Sequence, residues 1–102
     1  MKVVGEESWS WMLFDDDGVL VLSVVCGGVG VYDIAFQLND SESGQVRADG
    51  FEAAGALAQA VRADVENYFA RHLADFERRA DVAAATTDWR SASHGRSAGI
   101  LV

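Results

Sequence analysis

Val19 to Cys26 reads VLVLSVVC, eight residues rich in β-branched side chains and too short to be a helix in their own right. The stretch before it, Ser8 to Asp15 (SWSWMLFD), puts Trp9, Trp11 and Leu13 on one face and Ser10, Met12 and Phe14 on the other, as a strand does. The DDDG between them, Asp15 to Gly18, supplies aspartates that bond their own backbone and a glycine that accepts positive φ, the chemistry of a short hairpin loop. A link that short has no room for a crossover, so the two strands pair antiparallel. Gly27-Gly28, followed by Gly30, marks a second turn, after which Tyr32, Ile34, Phe36 and Leu38 alternate with Val31, Asp33, Ala35 and Gln37. The sequence thus predicts a three-stranded antiparallel meander, with residues 2 to 5 as a short fourth strand at the edge. Leu20, Leu22, Val24 and Cys26 share a face with Tyr32, Ile34, Phe36 and Leu38.

Beyond Asn39 the pattern changes. NDSESG (Asn39 to Gly44) ends the strand and caps a short helical turn over Glu42 to Asp49, and Asp49 with Glu52 has capping-box spacing ahead of a longer helix. Phe51, Ala54, Leu57, Ala58, Val61, Val65, Tyr68, Phe69, Leu73 and Phe76 recur at three- and four-residue steps, the signature of an amphipathic helix. Arg62 with Glu66, Arg71 with Asp75 and Asp75 with Arg79 have i,i+4 spacing on its wetter side. Uninterrupted, this helix would run about 30 residues, or roughly 45 Å, whereas a domain of this size is only about 30 to 35 Å across. Either it breaks near His72 to Asp75, or its distal half packs on something else. The fold class expected is α+β, with residues 1–85 as a single domain and 86–102 as a weakly ordered tail in which Trp89, Ile100, Leu101 and Val102 offer docking groups.

Charge is distributed unevenly along the 102 residues. Residues 1–44 hold eight acids against Lys2 alone, and residues 45–102 hold eight acids against seven arginines, so nearly all of the net −8 belongs to the first half. A field of that sign repels nucleic acid and anionic membrane and attracts basic surfaces. The N-terminus lacks the basic-then-apolar profile of a signal peptide and no run of about 18 apolar residues exists, which makes the expected location cytoplasmic. Cys26, the single cysteine, excludes an internal disulfide and a cysteine-rich metal site, and its apolar neighbours make it a core residue. His72 and His94 have no partner at ligand spacing, and Cys26-Gly-Gly-Val-Gly30 lacks the Lys-Ser/Thr of a phosphate cradle. No metal or cofactor is expected.

Leu13 to Leu20 (LFDDDGVL) resembles the first motif of the haloacid dehalogenase superfamily, where apolar residues lead into two aspartates one residue apart, then Gly, Thr or Val, and Leu. The resemblance implies an Mg²⁺-dependent phosphohydrolase on a parallel sheet, with Asp15 as the phosphoryl-accepting nucleophile and Asp17 as the acid/base. It covers about eight residues, and where that family continues into a loop and helix, Ser23 to Leu38 here is strand-like.

Composition favours a different function. If the long helix covers the face bearing Leu20, Leu22, Ile34 and Phe36, then Val19, Val21, Val25, Val31 and Ala35 remain on a face that a solvated sheet would make polar. That face, with Phe76 on the distal helix, is expected to meet a second copy in a homodimer or another protein. The leading expectation is a non-catalytic interaction protein whose acidic half, Glu6, Glu7, Asp15, Asp16, Asp17 and Asp33, recognises a basic partner, as an immunity or inhibitor protein recognises a toxin nuclease. A dimeric structural or accessory subunit is the plainer alternative.

Overall fold

Asp17 and Gly18 both have positive φ (56° and 93°) and alone separate the paired ends Asp16 and Val19. This is the two-residue hairpin whose twist matches that of the strands it joins, and Asp-Gly is among the few sequences that adopt it without strain. Asp15 Oδ1 accepts the Gly18 N–H at 2.8 Å and fixes the turn further. The computed structural model describes residues 1–27 and 30–92. Four strands, β1 (Lys2–Glu7), β2 (Trp11–Asp16), β3 (Val19–Cys26) and β4 (Tyr32–Gln37), form an antiparallel sheet in the order β1-β2-β3-β4. The α+β meander expected from the sequence is present, and the edge strand extends two residues beyond residues 2–5. Its pairing with β2 shifts register between Val3 and Gly5, so Val4 forms a bulge on the exposed edge.

The helical half differs from one long rod. Asn39 caps α1 (Asp40–Asp49) with a reciprocal capping box to Glu42, so the box lies ten residues before the Asp49/Glu52 pair that the spacing suggested. Gly50, at φ 61°, turns the chain directly into α2 (Phe51–Ala63), and Asp64 separates α2 from the single turn α3 (Val65–Phe69). Asp75 in the left-handed conformation and a 3₁₀ turn at Phe76–Arg78 then reverse the chain into α4 (Ala80–Ala92). The molecule's longest extent is 35 Å, so an uninterrupted helix would have projected into solvent. The break near His72 to Asp75 lets the second half return to the sheet.

That return gives the sheet two cores. On one face Leu13, Leu22, Val24, Ile34 and Phe36 pack against Val46 of α1 and Ala54, Ala58 and Val61 of α2. On the other, Val3, Phe14, Val21 and Ala35 are covered by Phe76, Val82, Ala85 and Trp89. The part of the valine face that holds Val21 and Ala35 is thus closed by Phe76 and α4. Val21 and Phe76, expected to await a partner, are buried, and Phe76 sits edge-on to the Phe14 ring at 5.1 Å. The sequence pattern could not show this, because α4 reads as a run of small and polar residues with only two large apolar ones, Val82 and Trp89, seven positions apart. The boundary expected at residue 85 falls inside α4, where Trp89 is buried, while Ile100, Leu101, Val102 and His94 lie outside the described residues.

The charge pairs also differ from the helical spacing. Arg62 leaves Glu66 and donates to the Val25 and Ser10 carbonyls (3.0 and 2.8 Å). Arg71 grips Glu42 with two bonds (3.0 and 2.7 Å), and Arg79 pairs with Asp81 at 2.7 Å. With α3 a single turn and the chain broken at Asp75, i,i+4 neighbours no longer share a helix face.

Candidate functional site: an acidic groove at one end of the sheet

α4 packs over the β1 and β2 side of the second face and leaves the far end of β3 and β4 uncovered. The result is a groove of about 770 Å³. Met12, Ser23, Val25 and Asp33 form its floor, Phe76, Glu77, Val82, Thr86 and Arg90 one wall, and Glu6 and Glu7 at the end of β1 with the Ser8–Ser10 turn its rim. Small side chains on α4 keep it open. Val25 and Val31, two members of the expected apolar interface, line it, and Val31 is 71% exposed. Val19 is exposed at the opposite end of the sheet, beside the hairpin.

Four carboxylates face the groove, Glu6, Glu7, Asp33 and Glu77, against one guanidinium, Arg90. Glu6 is held in place: its Oε1 accepts the Trp89 indole N–H at 2.8 Å and its Oε2 lies 3.7 Å from Arg90 Nη2. Asp33 has its carboxyl pKa raised above the usual range, first by partial desolvation and then by the charge of Glu77. A carboxylate in that state gains from a cation placed beside it. The rim carries Trp9, 89% exposed and at φ 63°, in the turn where the sequence had placed it on a strand beside Trp11. Arg62 fixes this turn by donating to both the carbonyl and the hydroxyl of Ser10 (2.8 and 3.0 Å). Glu77 in the groove and Arg62 behind its rim were missed by sequence reasoning, since both read as ordinary charges on a helix flank.

The remaining acids sit elsewhere. Asp15, Asp16 and Asp17 form the hairpin tip at the other end of the sheet, where Asp15 holds the turn and Asp16 lies about 4 Å from both the N-terminal amine and Arg79 (4.0 and 3.9 Å). The predicted acidic surface is therefore two separate patches. The strand after the tip runs antiparallel to β2, whereas the haloacid dehalogenase resemblance implies a parallel sheet. Cys26 is buried in the first core, and burial pushes its thiol pKa up. His72, the histidine within the described residues, accepts the Ala35 N–H at Nδ1 (3.0 Å) and so carries its proton on Nε2.

No family model, curated protein or solved structure matches this chain. The groove must be read from its own chemistry. It offers carboxylates, hydroxyls and an exposed indole, which bind cations and basic side chains by charge and by ring quadrupole. No helix among the described residues is long and apolar enough to cross a membrane.

Proposed function

We propose that this protein is a non-catalytic recognition module that holds a basic partner protein at the groove. The observation that carries the reading is the set of four carboxylates around a single guanidinium in one concave site, with an exposed Trp9 at its lip. Clustered carboxylates of this kind steer association with a basic surface and set its register. Charged and aromatic groups at the centre of a contact also supply a large share of its energy. The overall charge of −8 disfavours nucleic acid as the ligand.

A partner of the required chemistry is a basic nuclease whose anion-binding cleft the groove carboxylates would occupy, which makes the chain an immunity or inhibitor protein. The valine face that suggested a homodimer is covered at Val21 and Ala35 by Phe76 and α4, so that reading keeps Val19, Val25 and Val31 for support.

The test is the affinity for oligoarginine as a function of salt, read by fluorescence anisotropy. Binding that weakens steeply with salt, is lost in the double variant Glu7→Lys/Glu77→Lys and survives Asp15→Asn/Asp17→Asn is the expected result. Equal loss in both double variants would show attraction to net charge alone and overturn the groove as the site. The inhibitor form requires in addition that the protein block cleavage by a basic nuclease that binds it.

A further inference from the structure

Half of the outer edge of β4 is closed by the chain itself. The Ala35 N–H donates to His72 Nδ1 at 3.0 Å, the Leu73 N–H donates to the Ala35 carbonyl at 2.7 Å, and Arg71 Nη2 donates to the Gln37 carbonyl at 2.9 Å. Residues 71–73 therefore stand in for a fifth strand beside Ala35 and Gln37. In an antiparallel ladder the backbone groups of every second residue face the same neighbour. The β3–β4 register runs from Gln37 to Tyr32 without a shift, so the N–H and C=O of Asp33 point outward, as those of Ala35 do. Among the described residues neither has a partner. This open end is accessible, with Tyr32 42% exposed, and the Asp33 carboxyl lies on the groove side of the sheet.

We infer that the open end of β4 receives an extended basic segment of another protein as an added strand, with the Asp33 backbone as its anchor and the groove carboxylates as the seat of its cationic side chain. Residues directly opposite in an antiparallel pair place their side chains on the same face. The residue opposite Asp33 thus lies over the groove, on the side lined by Asp33 and Glu77, and its two chain neighbours turn toward the Tyr32 side. The segment that fits has Arg or Lys at that position between apolar residues. A second copy does not fit, because pairing two β4 edges about Asp33 sets two carboxylates opposite each other, an arrangement that edge strands use against self-association. This inference rests on the acidic-groove reading and adds to it the backbone as a determinant.

The probe is a short peptide of alternating arginine and valine, blocked at both ends, and its counterpart N-methylated at the arginines. The two carry the same charge, but the second cannot donate to the Asp33 carbonyl. On the protein side, Asp33→Pro removes a donor that faces outward, leaving the β3 ladder whole, and Asp33→Asn removes only the charge. Expected are binding of the parent peptide, a loss of about tenfold or more on N-methylation, and weaker binding to Asp33→Pro than to Asp33→Asn. Glu77→Gln should weaken the parent peptide several-fold. The N-methylated arm uses the unaltered protein, so it decides the matter even if Asp33→Pro melts early. Equal binding of both peptides, lost with Glu77→Gln, would overturn the added strand and leave the groove reading standing. Absence of binding by either peptide at low salt would overturn both.

Discussion

Glu42 ties the start of α1 to the segment that follows α3. It accepts the Asn39 N–H at the start of α1 and binds Arg71 through both oxygens, while the Arg71 guanidinium lies 4.8 Å from the centre of the Phe36 ring. Hydrogen bonds from Arg71, above all, hold the Glu42 carboxyl below the usual range, and the Asn39 N–H adds to this against the opposing effect of burial. A lowered carboxyl contributes stability that is complete above the ordinary carboxylate range and is lost as pH falls through Glu42's own value. Glu42→Ala should cost about 2 kcal/mol at neutral pH, from losing the Asn39 N–H half of the capping box and the two-bond pair with Arg71. Urea denaturation should show that difference shrinking on acidification. Asp33 has the opposite sign: its raised carboxyl costs stability as pH rises through its value, so Asp33→Asn should melt higher than the parent at neutral pH and alike in acid. Gly55 lies inside α2, where a Cβ would meet only Trp11 Nε1 at an ordinary 3.9 Å. Gly55→Ala should therefore stabilise the protein by about 0.5 to 1 kcal/mol through helix propensity, read as a higher thermal midpoint. Thermal melts with Mg²⁺ and beryllofluoride should leave the midpoint unchanged; a rise that Asp15→Asn abolishes would return the phosphohydrolase reading.

The elements divide into those whose pattern named them and those that packing assigned. β2, β3 and β4 were legible because apolar residues alternate and Asp-Gly leaves one hairpin geometry available. α4 was not. Its buried residues, Val82, Ala85 and Trp89, are too few to mark an amphipathic face in a segment dominated by small and polar residues. It nonetheless closes the second core, and its Trp89 both packs there and donates to Glu6. Trp89→Ala should destabilise by about 3 kcal/mol, the cost of a large buried aromatic together with its hydrogen bond to Glu6. Trp89→Phe should recover most of the packing but not the hydrogen bond, and chemical denaturation of the pair separates the two. The groove is a consequence of the same element, since α4 covers one half of the face and stops short of the other.

At the scale of the molecule, the acidic half of the chain becomes two patches at opposite ends of the sheet. One is a turn that holds itself together with Asp15; the other is a concave site whose fourth carboxylate, Glu77, comes from the other half of the sequence. With one face of the sheet covered and the buried part of the other closed by Phe76 and α4, light scattering should give a particle mass near the 11.0 kDa of one chain. A mass of twice that would return the second-copy reading, with Val19 and Val31 as its contacts. The sequence by itself determined the α+β class, the antiparallel meander and which strand residues share a face, because these follow from alternation and from turns too short for any other connection. It also determined the sign of the charge that the molecule carries. Only the tertiary structure decided where the helical half would break, that it packs on both faces, and which acids stand together. Those outcomes depend on contacts between residues far apart in the chain, such as Glu6 with Trp89 and Ala35 with His72, which no local pattern encodes.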